Sequence, residues 1–285
     1  MPLEVIDSIP SLRGRLRVDR NAGHTIGLVP TMGALHEGHL SLVARARAEC
    51  ATVVVTIFVN PRQFDRPEDL ATYPRSLDAD VKVCASAGVD VVFAPAAAEM
   101  YPAPLDCTVD VGHVADHLCG RTRPGHFRGV ATVVMKLFQI AQPDRAYFGE
   151  KDAQQLAVIR RLVADLNVPV TVVPVATVRE ADGLALSSRN RRLSPEERRV
   201  APVLYEALRD ARQRIAAGDS DAARVRQMAA DIIEQRQGVR LEYLEIVEPN
   251  EMQPVEVVDR PVVAAGAVWI GSTRLIDNVV CVPPA

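Results

Sequence analysis

Along the first 175 positions, short β-branched apolar runs alternate with stretches whose apolar residues recur at helical spacing. The runs at residues 25–29, 52–58, 89–93, 145–148 and 170–175 read as strands. Helices are expected from the loop after the first run through Ala48, and over 77–87, 130–140 and 153–166. Residues 52–58 are almost uninterruptedly apolar, as in a parallel strand covered on both faces. The alternation predicts right-handed βαβ units and an α/β, doubly wound, Rossmann-like parallel sheet. After Val178 the pattern changes. Two charged, Ala- and Arg-rich helices (195–217 and 220–237) precede strand-like runs at 241–247, 262–270 and 275–282, which predicts a smaller C-terminal α+β domain. The boundary is placed at Thr177, giving domains 1–177 and 178–285.

A chain of 285 residues accommodates two hydrophobic cores. Its net charge of −3 leaves no broad basic face for nucleic acid, and an aromatic content of 4% argues against base-stacking platforms. Cys50, Cys84, Cys107, Cys119 and Cys281 are scattered and form no C-x-x-C pair, the usage of a reducing compartment. No basic-plus-apolar leader opens the chain and no apolar run reaches membrane-spanning length, so no membrane and a cytoplasmic location are expected.

Four segments carry candidate chemistry, three of them directly after a strand-like run. Pro30, Thr31, Met32, Gly33, Ala34, Leu35, His36, Glu37, Gly38 and His39 follow the strand at 25–29 and run into a helix. This is where doubly wound sheets bind ligands, and free N–H groups at a helix start attract phosphate. His36 and His39, three apart, are placed to face one phosphate together; a metal pair is the alternative, but no third ligand stands nearby. His24 reads as structural. Asn60 and Gln63, in FVNPRQF, are uncharged amides suited to orienting hydroxyls or carboxylates, or else to satisfying their own turn. In FGEKDAQQ, Lys151 is a point charge for phosphate and Asp152 a helix cap, while Gln154 and Gln155 point to different faces. In LSSRN, at the domain junction, Ser187 and Ser188 offer hydroxyls and Arg189 a planar donor fork.

Taken together, PTMGALHEGH, IFVNPRQF, DLATYPR, RPGHFRGVATVV, FGEKDAQQL and TVREADGLALSSRN resemble, in order, the pantoate–β-alanine ligase family. Those enzymes have the HxGH-type nucleotidyltransferase fold and are related in architecture to class I aminoacyl-tRNA synthetases. The resemblance implies two steps: pantoate attacks the α-phosphate of Mg-ATP to give pantoyl adenylate and pyrophosphate, then β-alanine displaces AMP. It implies that His39 is the proton donor, and that His36, Lys151, Ser187, Ser188 and Arg189 share in catalysis. ATP would be held by residues 30–39, by Gly149, Glu150, Lys151 and Asp152, and by Val178, Leu186, Ser187, Ser188 and Arg189. Pantoate and β-alanine would be held by Gln63, Gln155, Asn60 and Tyr73. Domain 178–285 would act as a lid over ATP. Mg²⁺ would accompany ATP, with Asp80 a possible contact, although the preceding position, often acidic in relatives, is Ala79 here. The family also implies a homodimer. Two other readings use the same motifs: an adenylyltransferase acting on a phosphorylated acceptor, and a non-catalytic nucleotide-binding module. The amide-rich FVNPRQF favours a small polar acid over the first, and the full set of cationic and imidazole groups disfavours the second.

Overall fold

The computed structural model describes residues 3–284, which form nine strands in two sheets. They are β1 (Glu4–Ile6), β2 (Ile26–Thr31), β3 (Thr52–Ile57), β4 (Val91–Phe93), β5 (Arg145–Gly149), β6 (Thr171–Val175), β7 (Val239–Val247), β8 (Val262–Ile270) and β9 (Thr273–Cys281). The first six make an all-parallel sheet in the order β1-β4-β3-β2-β5-β6, the α/β architecture expected from the alternation. The last three make an antiparallel sheet, β7-β8-β9. The chain divides into two compact units. One comprises Met1–Val111, Arg123–Glu150 and Val158–Ala176; the other comprises Gly112–Thr122, Lys151–Ala157 and Thr177–Ala285.

In the first unit β2 is central, pairing with β3 on one side and β5 on the other. The chain steps outward through β3 and β4 and then returns to β5, so the strand order reverses between β2 and β5. Ligands of open α/β sheets bind outside the carboxyl ends of strands at such a switch point. β3 is buried from Thr52 to Thr56, consistent with helices on both faces. Val29, Val43, Val53, Val55, Val92 and Tyr147 belong to one core.

Two features of this unit lie outside the alternation. β1 and the helix Ile9–Asn21 precede the first expected strand. Three residues are too few to show a period, and β1 exists because its backbone pairs with β4. The apolar helix expected over 130–140 begins earlier, at His126, after Gly125 in the left-handed region (φ 79°).

In the second unit the helices Val203–Ala216 and Ala222–Glu234 cover one face of the antiparallel sheet. Leu208, Ile215, Val225 and Ile233 share a core there with Ile246, Val262 and Val268. The single helix expected over 195–217 is broken into Pro195–Val200 and Val203–Ala216. Pro202, lacking an N–H, cannot continue the first helix and starts the second.

Candidate active site

β2 ends at Thr31, and the next five residues pass to the helix Glu37–Glu49 through two left-handed positions, Gly33 (φ 80°) and Ala34 (φ 53°). What holds this bend is Asp80, on the helix Leu77–Ser86 and only 3% exposed. Its Oδ2 accepts the N–H of Ala34 at 2.9 Å and its Oδ1 that of Leu35 at 2.8 Å. A Cβ at position 33 would lie 2.9 Å from Asp80 Oδ2 and 3.1 Å from Ile57 Cγ2, so glycine is required by both backbone and space. With each oxygen accepting an amide N–H, Asp80 anchors this loop.

The histidines build the helix start. His36 is the N-cap, its Nδ1 accepting the N–H of Gly38 at 3.1 Å, and His39 Nδ1 accepts the N–H of His36 at 3.3 Å. This is a capping box in which imidazoles replace the usual hydroxyl and carboxylate. The rings lie 4.1 Å apart, tilted by 47°. A ring whose Nδ1 accepts an N–H carries its proton on Nε2, so these contacts favour the tautomer in which each ring is an Nε2–H donor.

The amides of FVNPRQF share one network. Asn60 is 1% exposed. Its Oδ1 accepts from Tyr101 Oη at 2.8 Å and from the N–H of Arg62 at 3.3 Å. Its Nδ2 donates to the Gly129 carbonyl at 3.1 Å and to Gln63 Oε1 at 3.0 Å. Gln63 Nε2 in turn meets Met32 Sδ at 3.3 Å. The structure therefore brings Met32, Gln63 and Asn60 together, with Asn60 orienting Gln63 from inside. Burial pushes the Tyr101 hydroxyl up to about 12, more than offsetting the nearby Arg62, so it stays protonated and donating. Tyr73 packs edge-on against Phe64, ring centroids 5.7 Å apart.

Other residues of this unit complete the turn without having been singled out by type. His126 Nδ1 contacts the Gln63 carbonyl at 2.8 Å, and Arg123 donates to the same oxygen at 3.1 Å while pairing with Asp65 at 2.8 Å. A Cβ on Gly129 would fall 2.2 Å from the Arg62 carbonyl oxygen, so only glycine lets that helix press on the turn. The signal was present as the string RPGHFRG, but nothing in those residues alone assigns them to Gln63.

In the second unit, Lys151, Ser187 and Arg189 line one pocket, together with Tyr205, Arg274 and Asp277. Lys151 Nζ lies 4.0 Å from Asp152 Oδ2. Ser187 caps a 3-10 turn, its Oγ accepting the N–H of Arg189 at 3.2 Å. The Val178 carbonyl accepts the N–H of Leu186 at 2.9 Å, closing a tight turn that delivers LSSRN. The glutamines separate. Gln154 is 6% exposed and donates to the carbonyls of Val114 and His117 at 3.0 and 2.8 Å, whereas Gln155 is half-buried on the adjoining face. Gly149 ends β5 and Glu150 opens the 3-10 turn leading to Lys151.

Comparison with known proteins bears on this arrangement. A family profile described as pantoate–beta-alanine ligase matches residues 4–280. The pantothenate synthetase of Heliobacterium modesticaldum is 55% identical over 98% of this chain and 99% of its own length. That of Moorella thermoacetica is 52% identical, with 98% of each chain covered. Among solved structures, the pantothenate synthetase of Thermus thermophilus superposes with a TM-score of 0.92 at 46% identity, covering 97% of this chain and 99% of that one. The pantoate–beta-alanine ligase of Francisella tularensis, solved as a complex with beta-gamma ATP and beta-alanine, superposes with a TM-score of 0.79 at 36% identity, covering 97% of each.

Proposed function

Because the chain belongs to the pantoate–β-alanine ligase family, we propose that its ATP-dependent condensation of pantoate with β-alanine proceeds through a pantoyl adenylate. A pantoate carboxylate oxygen bonds to the α-phosphorus as the bond to pyrophosphate breaks. The β-alanine amine then attacks the acyl carbon, AMP leaves and the amine gives up a proton. The first nucleophile is already an anion, so the site must neutralise and position charge rather than supply a strong base.

The observation that carries this reading is the histidine cap. It presents two Nε2–H donors at a helix N-terminus, at the carboxyl end of the central strand. We assign His39, as proton donor, and His36 to the phosphoryl group in transit. Residues 30–39 are assigned to ATP, as are Gly149, Glu150, Lys151, Asp152, Val178 and Leu186–Arg189. Lys151, Ser187, Ser188 and Arg189 supply cationic and hydroxyl donors. Gln63 and Gln155 are assigned to pantoate, Gln63 also to β-alanine. Tyr73 and Asn60 are assigned to the same pocket, Asn60 acting through Gln63. Mg²⁺ enters with ATP as part of the substrate, held by phosphate oxygens and water.

Pantoate-dependent exchange of labelled pyrophosphate into ATP, with β-alanine omitted, tests the adenylate. Exchange is expected, and its absence with active enzyme overturns the two-step route. The lid role of residues 178–285, the homodimer and a cytoplasmic location belong to the same proposal. No helix among the described residues is long and apolar enough to cross a membrane. Light scattering is expected to give twice the 31.0 kDa chain mass, and a monomeric mass would remove the dimer.

A further inference from the structure

Two polar residues sit side by side near the middle of β9, a strand otherwise largely apolar. Asp277 is 5% exposed and Asn278 is 9% exposed. Neighbouring side chains of a strand leave opposite faces. Asp277 shares its face with Leu275 and Val279, which belong to the core of the second unit; Asn278 shares the other with Arg274 and Ile276.

On its face Asp277 receives the guanidinium of Arg179 in a two-pronged pair, at 2.5 and 2.9 Å, and also the N–H of Asn278 at 2.8 Å. Arg179 further donates to the carbonyl of Gly183 at 3.0 Å, and its guanidinium carbon lies over the Tyr205 ring, 4.0 Å from the centroid. Gly183 (φ 93°) has no room for a side chain, since a Cβ would stand 2.3 Å from the Tyr205 ring. The turn from Val178 to Leu186 is thus clamped on Asp277, and this turn delivers Ser187–Arg189. On the other face Asn278 Nδ2 donates to the Lys151 carbonyl at 2.9 Å. Adjacent residues of one strand hold two segments that are 36 residues apart in sequence, from Lys151 to Ser187, and whose side chains line one pocket.

We propose that Asp277 and Asn278 are a positioning pair for ATP, setting the spacing between Lys151 and the Ser187–Arg189 loop. This rests on the assignment of those residues to ATP given above. A strand is stiff along its length, so fixing both segments to consecutive residues of β9 leaves their cationic and hydroxyl groups little freedom before ATP arrives. Both act through the segments they hold.

The test uses purified full-length variants retaining the wild-type melting temperature. Asn278→Ala removes the side-chain hydrogen bond to the Lys151 carbonyl, and Asn278→Asp sets an oxygen against that carbonyl at equal size. We expect the KM for ATP to rise about tenfold in the first and further in the second, with those for pantoate and β-alanine within about twofold. Arg179→Lys, which keeps the charge but not the fork, is expected between wild type and Arg179→Ala. Asp277→Asn is the more drastic change, because it leaves Arg179 without its counter-charge. An ATP KM within about twofold in Asn278→Ala, while Lys151→Ala raises it, overturns the pair. A common rise in all three KM values overturns it too, as a general structural effect. If Lys151→Ala and Arg189→Ala leave the ATP KM unchanged, the assignment of those residues to ATP fails, and the pair falls with it.

Discussion

Asp80 and Asp277 are both buried carboxylates that hold a loop assigned to ATP, yet they grip in different ways. Asp80, in the first unit, takes two backbone N–H groups directly. Asp277, in the second, takes an arginine fork, and Arg179 passes the hold on to the Gly183 carbonyl. The direct grip has no adjustable part. Its loop includes two left-handed residues that would otherwise relax, and the carboxylate must be in place for the bend to exist. The indirect grip runs through a long side chain over the Tyr205 ring, so the loop is held through an intermediary rather than by the carboxylate itself.

The comparison is broken most severely by removing the groups the anchors serve. His39→Ala and Lys151→Ala are each expected to lower turnover by about a thousandfold, with the fold intact by circular dichroism. Wild-type rates in both would dissolve the site. Next comes Asp80→Asn, which replaces one acceptor by an NH₂ facing a backbone donor. Leaving a buried amide unpaired and losing a charged hydrogen bond should cost about 3 kcal/mol in denaturant unfolding, along with most of the activity. A loss under about 1 kcal/mol would place Asp80 in the looser class of Asp277. Gly129→Ala drives a methyl into the Arg62 carbonyl, and overpacking of this kind costs about 2 kcal/mol. The KM for pantoate should rise more than that for ATP, since Gln63 is displaced. A rise confined to ATP would contradict the role given to Gln63.

The smallest effect concerns acid. Hydrogen bonding from Arg198 holds the Asp182 carboxyl below its ordinary value of 3.8. A carboxylate depressed in the folded state stabilises above the unfolded value and loses that contribution as pH falls below 3.8 through the folded value. The second unit's turn should therefore loosen slightly under acid. Hydrogen-exchange protection at residues 178–189, taken relative to the intrinsic rate at each pH, is expected to fall below pH 3.8 more in wild type than in Asp182→Asn. An equal loss of protection in both would assign the loosening elsewhere.

The alternating runs made the parallel sheet legible because buried parallel strands are continuous apolar segments. The cap loop was legible because two glycines and two histidines cluster at a strand-to-helix passage. Contacts between distant segments were not legible. Asp80 looks like a free acid on a helix and only the fold shows its oxygens accepting two backbone amides. Asn60 looks like a ligand and proves to be a hub for Tyr101, Gly129 and Gln63. Arg179 and Asp277 stand 98 residues apart, and no spacing rule connects them. Residues 112–122 and 151–157 group with the C-terminal part of the chain, a membership that order along the sequence conceals.

The histidine cap also sets a condition on how this enzyme can be dissected. His36 is at once a donor assigned to phosphate and the residue that starts a helix. Deleting its imidazole frays the first turn as well as disarming the chemistry, and a rate alone would confound the two losses. Asn at position 36 is a strong helix-starting residue without an imidazole. Setting His36→Asn beside His36→Ala, with far-UV circular dichroism and rate read on the same samples, separates what the ring does for the backbone from what it does for the phosphate.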